Sequence, residues 1–248
     1  MRQVQNNYSS LHPEMYKSDI RILKANKILS ILEDYLADLS NLELLDIGCA
    51  GGYTSFVLSE KFKKVTAIDI DCKAIEYAKN NFAKDNITYQ LNNLMDLDFK
   101  QESLDVIICS HVYEHVPDSQ ILMDKIYWLL KPGGICYFAA PNRLMLVECH
   151  YNLLFLSYLP KWLANYYVRL SNKGTQYYEN VLTIWGLKKL VSKFEIIDYT
   201  SKIIKNPERY NALDMLVKGT FKYIISNIIV RYLLFIVPTY IWLLKKPL

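Results

Sequence analysis

The chain has 248 residues, with 29 basic against 25 acidic side chains for a formal charge of +4. That length buries a large core in one α/β domain with embellishments and is too short for two well-sized domains plus linkers. So even a charge balance, with no Lys-rich or Arg-rich run, does not argue for a nucleic-acid partner.

In chain order, Ser18–Asp19 offers an N-cap. Ile20, Leu23, Ile28, Leu32, Tyr35 and Leu36 then recur near helical spacing, predicting an amphipathic helix that packs on a sheet. Leu44 to Ile47 reads as an apolar strand that ends beside Asp46 and opens into a glycine-rich turn, Gly48 to Gly52. Without Cβ atoms in the way, backbone N–H groups of such a turn can approach a ligand closely. A helix to about Phe62, a strand from Lys64 to Ile70, a helix from Lys73 to about Lys84 and a strand from Ile87 to Leu91 repeat the unit, which implies a parallel sheet. Leu104 to Ser110 is the next strand. Asp118 caps a helix striped by Ile121, Leu122, Ile126, Leu129 and Leu130, Lys131-Pro-Gly-Gly134 ends it, and a strand from Ile135 to Ala140 follows.

Asp69 stands about 20 residues beyond the turn, the spacing at which a carboxylate reaches ribose hydroxyls. Strand, glycine turn, helix, strand and acid make a nucleoside-binding unit. The dinucleotide form wants G-x-G-x-x-G, and here those positions are Gly48, Ala50 and Tyr53, which disfavours NAD. An NAD(P)-dependent oxidoreductase is the weaker alternative, because Tyr127 and Lys131 have hydride-enzyme spacing but sit at a helix end ahead of Pro132.

The run Asp46-Ile-Gly48-Cys-Ala50-Gly-Gly52 resembles motif I of the class I S-adenosylmethionine-dependent methyltransferases, with Ala50 in place of the middle glycine. Three further segments resemble that family in order: residues 87–99, 104–116 and 130–142. The resemblance implies a Rossmann-like, doubly wound, mostly parallel seven-stranded sheet, S-adenosylmethionine as cofactor, and loops converging at the carboxyl ends of the strands. It implies Asp46, Gly48, Ala50, Gly52 and Ser110 around the methionine end, Asp69 on the ribose, and Asn93 and the Leu94 N–H on adenine. Small bacterial methyltransferases of this sort, the ubiquinone-pathway O-methyltransferases among them, share the core.

A transferred methyl needs a positioned nucleophile and, for a hydroxyl, a proton acceptor. His150, in Glu148-Cys-His-Tyr151, is the first candidate and His115 the second, with Glu114, Glu148 and Tyr151 in reserve and His111 on the same loop as His115. In some relatives Glu114 with His115 could hold a metal. No metal is expected here, since Cys49, Cys72, Cys109, Cys136 and Cys149 fall singly, without zinc-ligand spacing, as reduced thiols.

The chain therefore divides into a helical cover over 1–40, a cofactor-binding core over 42–142, an aromatic lid or insertion over 143–182 and an apolar helical insertion over 201–237, all in one methyltransferase domain. Tyr8, Tyr16 or Arg21 could join a lid over the cofactor, and His12 precedes the domain. Glu195 to Thr200 and Thr239 to Leu244 fit the last two strands. Phe221 to Ile236 is apolar, with Lys218, Lys222, Ser226, Asn227 and Arg231 on one broad side. A central arginine costs about 2.5–3.5 kcal/mol in a spanning helix, so this segment rests on a bilayer surface or packs against the aromatic insertion. Without the apolar stretch of a secretory signal the protein is expected in the cytoplasm, with peripheral membrane contact. The expected activity is O-methylation of a small or lipid-linked acceptor, a quinone precursor or a glycan; a non-catalytic cofactor-binding module is the alternative.

Overall fold

A computed structural model of the chain describes residues 18–248; Tyr8, His12 and Tyr16, and the side chain of Ser18, lie outside the described residues. Helix α1 (Ser18–Tyr35) leads into β1 (Glu43–Ile47), α2 (Tyr53–Ser59), β2 (Lys64–Asp69), α3 (Cys72–Asn81), β3 (Ile87–Leu91), β4 (Leu104–Ser110), α4 (Ser119–Leu129) and β5 (Leu130–Pro141). The later elements are a hairpin of β6 (Val147–Glu148) and β7 (Leu153–Leu154), then α5 (Lys161–Leu170), α6 (Ile184–Leu190), β8 (Glu195–Asp198), α7 (Thr200–Lys205), α8 (Phe221–Tyr232) and β9 (Thr239–Lys245).

The main sheet has seven strands in the order β3-β2-β1-β4-β5-β9-β8. Its first five strands pair in parallel, and β9 runs antiparallel to both β5 and β8. Strand order reverses between β1 and β4, and a ligand crevice forms at such a switch, beyond the carboxyl ends of the strands.

Alternation along the buried strands feeds two cores. Leu45, Ile47, Ile107, Cys109, Cys136 and Phe138 face one, which is covered by α4 and α6. Leu44, Val106, Ile108, Ile135, Tyr137 and Ala139 face the other, covered by α1, α2 and α7. A strand buried on both faces reads as a continuous apolar run, as LLDI and DVIIC do.

Two local expectations, at β5 and at α1, need correction. Strand β5 begins at Leu130, so Lys131-Pro-Gly-Gly134 is a bulge inside the strand, where the register jumps from Leu104↔Leu130 to Val106↔Ile135. The buried stripe of α1 is Ala25, Ile28, Ile31 and Leu32, while Ile20 and Leu23 are exposed. Only Val230 of α8 is buried; Phe221, Ile224, Ile225, Ile228 and Tyr232 face outward.

Residues 143–177 build a small core of their own, in which Tyr151, Leu153 and Leu156 meet Ala164 and Val168 of α5 and Tyr177. Tyr113 knits this segment to the sheet: its hydroxyl donates to Pro141 O (2.7 Å) and accepts from Leu182 N–H (3.0 Å).

Candidate functional site

A cleft of about 640 Å³ opens at the carboxyl rim of β1, β2 and β4, within the size range of small-ligand sites. Asp46, Gly48, Ala50, Asp69, Asn93, Leu94, Ser110, His115 and His150 all line it, and Arg21 and Lys24 reach it from α1. Gly52 is not part of the lining. It sits behind the turn at φ +83°, where it starts α2, and a Cβ there would stand 2.7 Å from the Ala78 Cβ.

The turn presents shape rather than a row of free donors. Gly48 and Cys49 N–H both donate to Ile68 O (2.9 and 3.0 Å), Ala50 N–H donates to Asp69 Oδ2 (2.8 Å), and Gly52 N–H donates to Cys49 O (3.0 Å). Ala50 adopts φ +50°, a left-handed conformation that favours glycine and explains the glycine of the motif at this position.

Asp69 also accepts from Asp71 N–H through Oδ1 at 2.9 Å. Each oxygen thus takes one backbone donor, and a carboxylate offers about four lone-pair sites. The remaining sites fit a ribose diol. Burial nevertheless raises the Asp69 pKa above its usual value. Asn93 caps the short turn Leu94–Asp96 by accepting from Met95 N–H (3.1 Å). Asp46 is buried and accepts from Ser55 Oγ (2.6 Å), and burial pushes its pKa up to about 7.

At the far wall, the loop after β4 meets the β6–β7 hairpin. His111 takes φ +58°, and its N–H is held by Ala139 O (2.9 Å). Three histidine nitrogens surround the Glu114 Oε1: His111 Nδ1 at 3.5 Å, His115 Nε2 at 3.9 Å and His150 Nε2 at 3.9 Å. Glu148 closes the hairpin turn by accepting from His150 and Tyr151 N–H (2.8 and 2.9 Å), and its Oε1 lies 2.8 Å from His150 Nδ1. His115 Nδ1 lies 3.9 Å from Glu179 Oε1.

Burial opposes ionisation of Glu114, yet the surrounding imidazoles hold its pKa below the usual value. Burial drives His115 down to about 4. For His150 burial acts the same way but is outweighed by the bonds to Cys149 and Glu148, which raise it to about 12. The bonds to Cys149 and Glu148 thus favour a charged His150, and burial favours a neutral His115. Glu179 escaped the sequence reading, since an acid in the aromatic run Tyr177-Tyr-Glu-Asn180 carries no local signal beyond its isolation.

Residues 45–138 match the family described as Methyltransferase domain. A ubiquinone biosynthesis O-methyltransferase from Coxiella burnetii is 36% identical over 107 residues, covering 42% of this chain and 46% of that protein. One from Xylella fastidiosa is 33% identical over 155 residues, covering 60% and 59%. The chain thus spans about half the length of the curated relatives it matches. Among solved structures, the methyltransferase bound to the Haloferax volcanii Trm112 methyltransferase activator superposes with a TM-score of 0.61 at 12% identity, with both chains covered in full. An S-adenosylmethionine-dependent methyltransferase from Mesorhizobium loti gives 0.58 at 16%, covering 90% of this chain and 100% of the other. At such identities these likenesses speak for the fold. The turn, the acid after β2 and the strand order thus belong together: residues 45–138 match a methyltransferase domain, and the chain has the fold of class I methyltransferases.

Proposed function

We propose that the protein transfers a methyl group from S-adenosylmethionine to an oxygen of a small or lipid-linked acceptor. The observation that carries this reading is one cleft that joins the Asp69 end to a wall of histidines and carboxylates some 45 residues further on in sequence. Asp69 would hold the ribose, Asn93 and Leu94 the adenine, and Asp46 and Ser110 the methionine end, with Gly48 and Ala50 shaping the floor and Gly52 backing it. When bound, the cofactor supplies an electrophilic methyl on a sulfonium.

The chain's own contribution is to position the acceptor and handle its proton. His115 and His150 stand at the wall, with Glu148 fixing the His150 ring. Val116, Ile121 and Leu122 add an apolar side to the cleft, which suits an aromatic or lipid-tailed acceptor. The relatives named for ubiquinone biosynthesis favour a quinone precursor, and a lipid-carried glycan fits the same wall.

Two features support surface contact with a membrane. The outward row Phe221, Ile224, Ile228 and Tyr232 on α8 is apolar, and Lys218, Lys222 and Arg231 flank it. Among the described residues no helix is long and apolar enough to cross a membrane. The protein would then work at the cytoplasmic face of a bilayer. Flotation with anionic vesicles should carry the wild type and not a variant with those three charges neutralised; equal behaviour of the two removes the membrane idea.

Incubating a membrane extract with cofactor labelled at the methyl carbon tests the activity. Label in a lipid-extractable product supports it. Binding of S-adenosylhomocysteine without any transfer would favour a non-catalytic module, and binding of NADH in its place would end the proposal.

A further inference from the structure

The sequence reading expects no metal, but the wall of the cleft is built like a ligand shell. The Glu114 side chain is 0% exposed, and neither of its carboxylate oxygens has a hydrogen-bond partner among the described residues. A buried carboxylate without partners is costly. Its nearest nitrogens stand at 3.5–3.9 Å, too far for good hydrogen bonds and near the separation of atoms that share one ion. Zinc bound tetrahedrally at about 2.0–2.1 Å places its ligand atoms about 3.3–3.4 Å apart, so contraction by a few tenths of an ångström suffices.

The donor atoms of His111, Glu114 and His150 all lie within 4.8 Å of one another. His115 Nε2 lies 3.9 Å from the same Glu114 oxygen and belongs to a neighbouring cluster, with His150 and Glu179. The second ring nitrogen of His150 is placed as a metal-bound histidine requires, with Nδ1 2.8 Å from the Glu148 carboxylate. Glu148 is itself fixed by two backbone donors. The left-handed backbone of His111, sparsely populated for residues other than glycine, is a strain that ligation would repay.

We propose that His111, Glu114 and His150 bind one divalent transition-metal ion, with Glu148 orienting His150 and a fourth position open to an acceptor oxygen. Two imidazoles and one carboxylate select zinc, iron, cobalt or manganese over magnesium and calcium, which prefer oxygen shells. The ion's role in catalysis rests on the methyl-transfer reading; its binding does not. Beside the methyl position it lowers the pKa of an acceptor hydroxyl. The proton leaves to solvent, the oxygen lone pair forms the new bond to carbon, and the carbon–sulfur electron pair stays on sulfur.

Zinc is titrated into EDTA-treated full-length protein by calorimetry, with bound metal counted by elemental analysis and cobalt used as a visible-absorption probe. One equivalent should bind, and ring-nitrogen ligation should give cobalt a ligand-field spectrum. Glu114→Gln and, should that variant not fold, His111→Asn should weaken binding at least tenfold, and Glu148→Gln about 10–100-fold. No stoichiometric binding by the wild type, or binding unchanged in these variants, overturns the site. S-adenosylhomocysteine affinity of the wild type, with and without EDTA, is measured in parallel. Zinc binding without nucleoside binding leaves the metal site standing and removes the methyl-transfer reading.

Discussion

Gly52→Ala offers a quantitative test of how tightly the cofactor turn is packed. At φ +83° an alanine bears the left-handed cost of about 1–2 kcal/mol. Its Cβ would also lie 2.7 Å from Ala78 Cβ and 3.1 Å from both Cε1 and the hydroxyl oxygen of Tyr89. Ala78 has no rotamer to swing away, because its Cβ is fixed to the backbone of α3. Overpacking of that kind costs about 1–3 kcal/mol, for a total of about 2–5 kcal/mol. Gly219 has nearly the same dihedral, φ +84°, and nothing within 4 Å of the added Cβ, so Gly219→Ala bears the backbone cost alone. In a domain of this size 1 kcal/mol moves the melting temperature by roughly 2–4 °C. Gly52→Ala should therefore melt about 4–20 °C below the wild type by circular dichroism, and Gly219→Ala about 2–8 °C below. If the two variants melt within a degree of each other, the packing argument behind the turn is wrong.

Asp69→Ala removes the acceptor of two backbone N–H groups along with the expected ribose ligand, and should weaken S-adenosylhomocysteine binding at least 100-fold in calorimetry, since hydrogen bonds to a charged group contribute about 1.5–3 kcal/mol each; near-normal affinity contradicts the placement. Burial pushes the Asp46 pKa up to about 7, and under the proposed placement the cofactor's ammonium would select its ionised form. Affinity should thus rise about tenfold between pH 6 and pH 8 for a single group of that pKa, and Asp46→Asn should flatten the profile; a flat wild-type profile refutes the contact. Tyr113→Phe leaves Pro141 O and Leu182 N–H without their shared partner and should lower stability by about 1–3 kcal/mol in urea titration, with no change expected if solvent reaches both groups.

Much of the nucleoside half was legible because its parts are local. Asp46, Gly48, Ala50 and Asp69 lie within 24 residues, and the strand–turn–helix grammar orders them without help from distant chain. At the far wall the sequence named the histidines, Glu114 and Glu148 but missed Glu179, which meets Glu114 through the Tyr113 bridge and the backbone bond from Asn180 N–H to Glu114 O (2.9 Å). His150 was found as a histidine after the fifth strand, but its raised pKa depends on Glu148, set beside it by the short β6–β7 hairpin. On helix α1 the sequence found Ile28 and Leu32 but extended the stripe to the exposed Ile20 and Leu23 and missed Ala25, which carries too little hydrophobicity to mark the buried side that it occupies. The periodicity of α8 was plain, while the exposure of its outer face among the described residues is a tertiary fact.

The position of β9 bears on how the molecule is made. Strand β8 leaves the ribosome some forty residues before β9, yet it can join the sheet only across β9, which lies between it and β5. During translation β8 therefore waits as an orphan edge and β5 keeps one side open until residue 245 has emerged. Long-range pairing of this kind slows folding and exposes strand edges to wrong neighbours, so nascent chains paused before that point should be the ones that chaperones hold.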